Sequence, residues 1–392
     1  LKYPSIHTLA SPTLILVLSL AIGCNSIPER DRGYDVGEMV YTLQSPERSS
    51  RFGAVSTGAI EATRAGVRML EQGGNAIDAY VAAAMMLGVV DPADSGLGGT
   101  TFALVRFADG RAIAVEGACP VPIRIDAVRI AELQDADERN MAEFTAVPAT
   151  LSVLAHLARR YGTMPLADLI APSIEVAENT GYTLSPFQMY ALEKYLDAVI
   201  ESEHLRYTVL LDGTGLPSAT DRFYRPKLAT ALRTIARRGP EVFYRGAMAA
   251  QIEHDVIGRG GFITRTDLAT LRTRELEPLR GTYRDVEVLS FPDPGAGCGV
   301  ISMLNMLEQF PQEFLRTDSV DRLQVMAETA RLAKAVKGQY RPDPNLSMEI
   351  RDYSFLSKES AAERVKQIRL GTAMPAHFRE ISEERDPCRE PE

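Results

Sequence analysis

Apolar residues recur at helical spacing through 59–72, and the run stops at Gly73-Gly74, a pair suited to the left-handed turn that closes a helix. Asn75 stands three residues before Asp78, the spacing of an N-terminal capping pair, and opens a second helix over 76–90. This second stretch is apolar on nearly every face and rich in alanine and methionine. It must therefore be buried, with side chains small enough to lie close against a sheet. Asp91-Pro92 ends it. A short strand is expected at 52–55, ahead of the first helix. Two apolar runs, 102–107 and 112–116, are joined by Asp109-Gly110, a strong hairpin signal.

Beyond Pro120 and Pro122 the pattern turns largely helical, with predicted helices at 150–161, 227–237 and 247–257. A second strand pair, 279–283 and 286–290, precedes a glycine-rich loop and two further helices at 299–309 and 320–335. Strands and helices come in runs without strict alternation, which points to α+β layers of helix and antiparallel sheet. A dinucleotide turn is excluded: Gly96-Leu97-Gly98-Gly99 lies before a strand, whereas that motif follows a strand and opens a helix. Thr100 and Thr101 follow these glycines. An internal threonine has no free amine to activate its hydroxyl, so the pair reads as a tight approach into a β-branched strand start.

The chain has 392 residues, 45% hydrophobic and 24% charged, enough to bury a sizeable core. A formal charge of -9 without clustered Lys and Arg argues against nucleic-acid binding. The first residues carry Lys2, a short apolar run at 14–22, and then Ala21-Ile22-Gly23-Cys24. That run is too short to span a membrane but has the length of a secretory core. The small residues before Cys24 resemble the lipobox of bacterial lipoproteins, so 1–24 is expected to be a signal peptide, Cys24 the lipidated residue, and 25–50 a polar linker. The expected location is the bacterial periplasm or cell envelope, with membrane attachment through the lipid only. Four cysteines without C-x-x-C spacing, and five scattered histidines, point to no metal site and no disulfide framework.

Five words in order resemble the large subunit of gamma-glutamyltranspeptidases: EQGGNAIDAYVAAA at 71–84, GLGGTTF at 96–102, YGTMPL at 161–166, GPEVFYRG at 239–246 and GGFITRTDL at 260–268. The resemblance covers 51–392 and implies the four-layer αββα sandwich of N-terminal nucleophile hydrolases, here a large-subunit part with a helical lobe. It implies a partner, a small subunit from the same precursor or a separate chain, whose first residue is a threonine, expected just after Glu392. That threonine's hydroxyl attacks a gamma-glutamyl or related acyl amide while its own α-amine takes the proton, and no cofactor is needed. Such enzymes include glutathione hydrolases and related acylases. The alternative is a non-catalytic exported lipoprotein that keeps the scaffold for binding or assembly.

Several ligand-facing words depart from the family. An arginine that binds the substrate α-carboxylate is implied in a word like Arg-Glu-x-Ala-Pro, and alignment on Pro122 puts Ala118 at its position and Cys119 beside it. Arg124 is the candidate substitute, against the alternative of a solvated surface residue. The family's serine-glycine loop appears as Pro292-Asp293-Pro294-Gly295-Ala296-Gly297-Cys298, without serine, and Val336-Lys337 stands for an acidic-basic pair ahead of Asp343-Pro344. Cys119 and Cys298 both lie in altered words. They are either a disulfide in an exported protein or, more commonly, two separate thiols.

Overall fold

The computed structural model describes residues 53–125, 128–129, 132, 142–211, 213–218, 220–292, 295–339 and 353–373. All of them belong to one unit, Ser50–Glu392, while a separate unit, Leu1–Ser49, lies outside the described residues. The leader, Cys24, the 25–50 linker, Asp293-Pro294, Asp343-Pro344 and the tail before Glu392 also lie outside them.

Helix α1, Ile60–Glu71, ends where expected: Gly73 takes φ +87°, and Gly74 N donates to Met69 O at 2.9 Å. Helix α2, Ala76–Val90, opens on a full capping box, with Asn75 Oδ1 accepting from Ile77 N and Asp78 N while Asp78 Oδ2 accepts from Asn75 N. As its composition requires, α2 is buried along most of its length. Its chief neighbours are helices rather than the sheet, a correction to the sequence reading: α1 on one side, α3 (Thr150–Tyr161) and α4 (Leu166–Glu175) on others. Its alanines admit those helices closely. The expected strand at 52–55 is not formed over 53–55, which run without ladder hydrogen bonds into α1.

The predicted hairpin is present as β1, Thr101–Arg106, and β2, Ala112–Gly117, in register from Thr101↔Gly117 to Arg106↔Ala112. Gly110 at φ +88° makes the turn. A third strand, β3 (Arg274–Leu276), pairs antiparallel with β2, so Glu116 faces Arg274 and Val115 faces Glu275. Strands β4 (Leu279–Tyr283) and β5 (Val286–Ser290) form a separate two-stranded sheet.

A helical lobe follows α4 through a π-helical turn, Val176–Thr180, into three short helices, α5 (Pro186–Lys194), α6 (Leu196–Glu201) and α7 (Glu203–Val209). It continues with α8 (Pro226–Arg238), α9 (Glu241–Tyr244), α10 (Ala247–Gly258) and α11 (Arg265–Thr270). The largest core joins α1 to α4 with this lobe through Val81, Met85, Leu151, Leu154, Ile170 and Leu232. Smaller apolar clusters join β4 to α12 (Gly297–Leu307) through Leu279, Cys298 and Ile301, and α12 to α14 (Val320–Gln339) and α15 (Lys358–Val365) through Met306, Leu332 and Ala361. Helix α13, Gln312–Arg316, connects α12 to α14.

Candidate functional site

Strand β2 must end on glycine. A Cβ at Gly117 would lie 2.3 Å from Val153 Cγ2 of α3 and 2.8 Å from Thr101 O, so only glycine lets the strand lie this close to the helix. The segment that leaves the sheet here, Ala118 to Ile123, is pinned at two points. Val147 N donates to Pro120 O at 3.0 Å, and Ile123 N donates to Asp267 Oδ1 at 2.8 Å. Ala118, Val121, Ile123 and Leu271 thereby line a cavity of about 370 Å³ that also receives Glu116, Asp267, Arg272 and Arg274. One of the words expected to depart from the family, Glu116 to Pro122, thus contributes to the wall of a ligand-sized cavity.

The charges in this cavity are mostly already matched. Glu116 is 5% exposed and ion-paired with its cross-strand neighbour Arg274, whose side chain is 42% exposed. Asp267 is buried and caps α11, accepting from Thr264 N at 2.8 Å, Thr264 Oγ1 at 2.5 Å and Ile123 N. Burial would raise its pKa, but these hydrogen bonds outweigh that and hold the carboxyl below its ordinary value. Arg272 is exposed and donates Nη1 to Ala269 O at 3.0 Å and Leu271 O at 2.8 Å.

A second cavity, about 870 Å³, shares Leu271 and Arg272 with the first and is lined further by His156, Tyr244, Arg245 and Thr273. Beside it, His156 Nε2 lies 2.7 Å from Glu275 Oε1, and Tyr161 donates its hydroxyl to Glu275 Oε2 at 2.9 Å. Burial pushes the Glu275 pKa up, but these bonds and the Arg160 charge bring it below the usual glutamate value. Among the described residues no group of three or more His, Cys, Asp and Glu side chains is arranged to hold a metal ion. No helix among them is long and apolar enough to cross a membrane.

The sequence candidates fall in different places. Ala118 lines the first cavity and brings no charge to it. Arg124 is exposed and does not line that cavity; it lies within electrostatic reach of Glu253, which already pairs with Arg265. Thr100 donates to Cys119 Sγ at 3.0 Å and Thr101 to Thr150 Oγ1 at 2.9 Å, while Gly99 O accepts from Ala149 N and Thr150 N at the start of α3. The glycine loop is a structural seat for that helix. Cys119 and Cys298 are not joined by a disulfide; Cys298 is buried in the first turn of α12, packed with Leu279 of β4. The sequence reading missed Asp267, Arg272 and Arg274, although Asp267 stands inside the GGFITRTDL word and Thr264 three residues earlier signals its capping role.

The described residues combine helices with antiparallel sheet in an α+β arrangement. The chain matches two solved structures closely: the gamma-glutamyltranspeptidase of Helicobacter pylori (TM-score 0.76, 28% identity, 84% of this chain and 95% of that one) and the cephalosporin acylase of Bacillus halodurans (TM-score 0.71, 28% identity, 86% and 65%). The gamma-glutamyltranspeptidase family model matches residues 62–390, and the chain belongs to that family. It is 31% identical over 351 residues to the glutathione hydrolase proenzyme of Escherichia coli (strain K12), covering 88% of this chain and 59% of the relative. It is 30% identical over 315 residues to the acylase ACY 1 proenzyme of Pseudomonas sp. (strain SE83), covering 78% and 56%. The chain therefore spans somewhat over half the length of these relatives.

Proposed function

We propose that this chain is the large-subunit portion of an exported amidohydrolase or acyltransferase that cleaves gamma-glutamyl or related acyl amides, the nucleophile being an N-terminal threonine carried just after Glu392 or by a separate small subunit. The threonine hydroxyl adds to the amide carbonyl, its proton passing to the threonine's own α-amine. The tetrahedral oxyanion collapses, the C–N bond breaks, and the amine leaves with that proton. Water or a second amine then takes the acyl group from the threonine ester. This chain supplies the cavity beside Ala118 in which the acyl group is held. Export by the 1–24 leader and anchoring through lipidated Cys24 complete the reading.

The observation that carries it is the cavity itself: the word where the resemblance implies a donor-carboxylate site lines a ligand-sized space within a chain that matches the family over 62–390. The names of the relatives, glutathione hydrolase and acylase proenzymes, support both the reaction class and the open acyl preference. The test is to produce the chain together with the remainder of its precursor and follow aniline release from gamma-glutamyl and glutaryl anilides, with N-terminal sequencing of any new fragment. Turnover of either anilide together with a threonine-led fragment is expected. No turnover of either, with no cleavage, leaves the chain without a catalytic role.

A further inference from the structure

The cavity beside Ala118 has no guanidinium at the position where the family resemblance implies one, and Arg272 and Arg274 also line it. We infer that Arg272 is the specificity-determining residue for a carboxylate carried by the acyl group, supplying to this cavity the charge that Ala118 does not. This deepens the functional reading above and rests on it, since it takes the cavity to be the acyl site.

Most of the charges that line the space are already matched within the protein. Glu116 and Arg274 neutralise each other across the β2–β3 register. Asp267 has its oxygens committed to Ile123 and Thr264. Arg272 remains, and among the described residues no carboxylate lies within ion-pair distance of it. Its Nη1 is fixed on two backbone carbonyls, Ala269 O and Leu271 O. A guanidinium held by one nitrogen keeps the Nε and Nη2 hydrogens on one edge for a bidentate acceptor, the geometry that suits a carboxylate. Holding one nitrogen also removes much of the rotamer freedom that an exposed arginine would lose on binding.

Arg245 strengthens the case. Its Nη2 donates to the same Ala269 O, also at 3.0 Å, so two guanidiniums converge on one carbonyl oxygen. Arg245 has Glu241 as its counterion, at 3.0 Å, whereas an incoming anion would serve Arg272. Apart from Thr270, whose hydroxyl donates to Thr266 O and Asp267 O, the rest of the wall is apolar, with Pro120, Val121, Ile123, Val147 and Leu271, and suits a short methylene chain. The ligand these features fit is an acyl group of a few methylenes ending in a carboxylate, with the amide to be cleaved at its other end.

Two length-matched amides isolate the carboxylate: glutaramate, which carries it, and pentanamide, which does not. Calorimetric titration of the full chain is expected to show glutaramate binding at least about tenfold tighter than pentanamide. Arg272→Ala is expected to abolish that preference and leave pentanamide binding unchanged, Arg272→Lys to keep part of it, and Ala118→Arg to restore it in the Arg272→Ala background. Arg272 is exposed, so unfolding midpoints are expected to match the wild type. Equal binding of the two amides by the wild type, or a preference that survives Arg272→Ala, overturns the assignment. Carboxylate binding through Arg272 without anilide turnover in the assembled protein would defeat only the catalytic reading, and turnover indifferent to Arg272 would defeat only this one.

Discussion

Thr163 holds the buried Asp78 carboxylate through both its hydroxyl, which donates to Oδ2 at 2.6 Å, and its backbone N–H, at 3.0 Å from Oδ1 and 3.1 Å from Oδ2. Met164 N adds a bond at 3.1 Å to Oδ1, and Asn75 Nδ2 donates to Tyr161 O at 2.7 Å. The GGNAID word and the YGTM word, far apart in the chain, are thus one hydrogen-bonded joint between the start of α2 and the end of α3. Gly162 belongs to the joint too, since a Cβ there would stand 2.7 Å from Asp78 Oδ1 and 2.6 Å from Ala158 O.

Replacing Asp78 by alanine strands several buried donors at once. Each unsatisfied group costs about 1–3 kcal/mol, so the variant should lose on the order of 4 kcal/mol, while Thr163→Val, which removes one charge-assisted bond, should lose about 2. Urea unfolding reads both as falls in midpoint at unchanged slope. A loss under about 1 kcal/mol for Asp78→Ala would show that the joint does not hold these helices.

The same joint sets a pH dependence. Burial tends to raise the Asp78 pKa, but the Thr163 hydroxyl and the Asn75, Met164 and Thr163 amides outweigh it, so the folded value lies below the ordinary 3.8. A depressed carboxyl pKa stabilises the fold above the unfolded value, and that stability is lost as pH falls through the folded one. Stability should therefore drop from about pH 4 downward, and Asp78→Asn should flatten this part of the profile. An unfolding midpoint with the same acid slope in both proteins would remove Asp78 as the cause.

Gly117 tests the link from packing to site. Alanine there would drive Val153 of α3 away from β2, an overpacking that costs about 1–3 kcal/mol. Because Ala118 follows directly and lines the cavity, the displacement should also weaken ligand binding, which substitution of a glycine with open space such as Gly258 should not. Paired unfolding and binding measurements on Gly117→Ala and Gly258→Ala check this, and identical behaviour of the two would contradict it.

What the sequence made readable was local. The capping pair Asn75 and Asp78 and the turn at Asp109-Gly110 carry their geometry within a few residues, and both are found where their spacing places them. Helices α5 to α7 escaped notice because they are short and leave Phe187, Tyr190, Tyr195 and Tyr207 exposed, which blurs any apolar period. Strand β3 is three residues long and exists through its pairing with β2. Arg272 could not be found from Ala118 for the same reason: the two walls meet only when β3 and the end of α11 come against β2. The fold-level resemblance, by contrast, was legible because its words specify caps and close approaches that recur in sequence order.

The proposed lipidation of Cys24 offers the remaining prediction. On the proposed reading of 1–24, the apolar run at 14–22 is too short to span a bilayer and Cys24 is the residue that would carry a covalent lipid. Each buried methylene of an acyl chain contributes about 0.8 kcal/mol, so several chains on one cysteine hold a protein firmly where one does not. Expressed from a start codon ahead of the leader, the wild type should incorporate radiolabelled palmitate and sediment with membranes. Cys24→Ser should lose the label and leave the membrane fraction. Equal labelling of the two proteins would place the lipid elsewhere, and no labelling of either would defeat the lipid-anchor reading of Cys24.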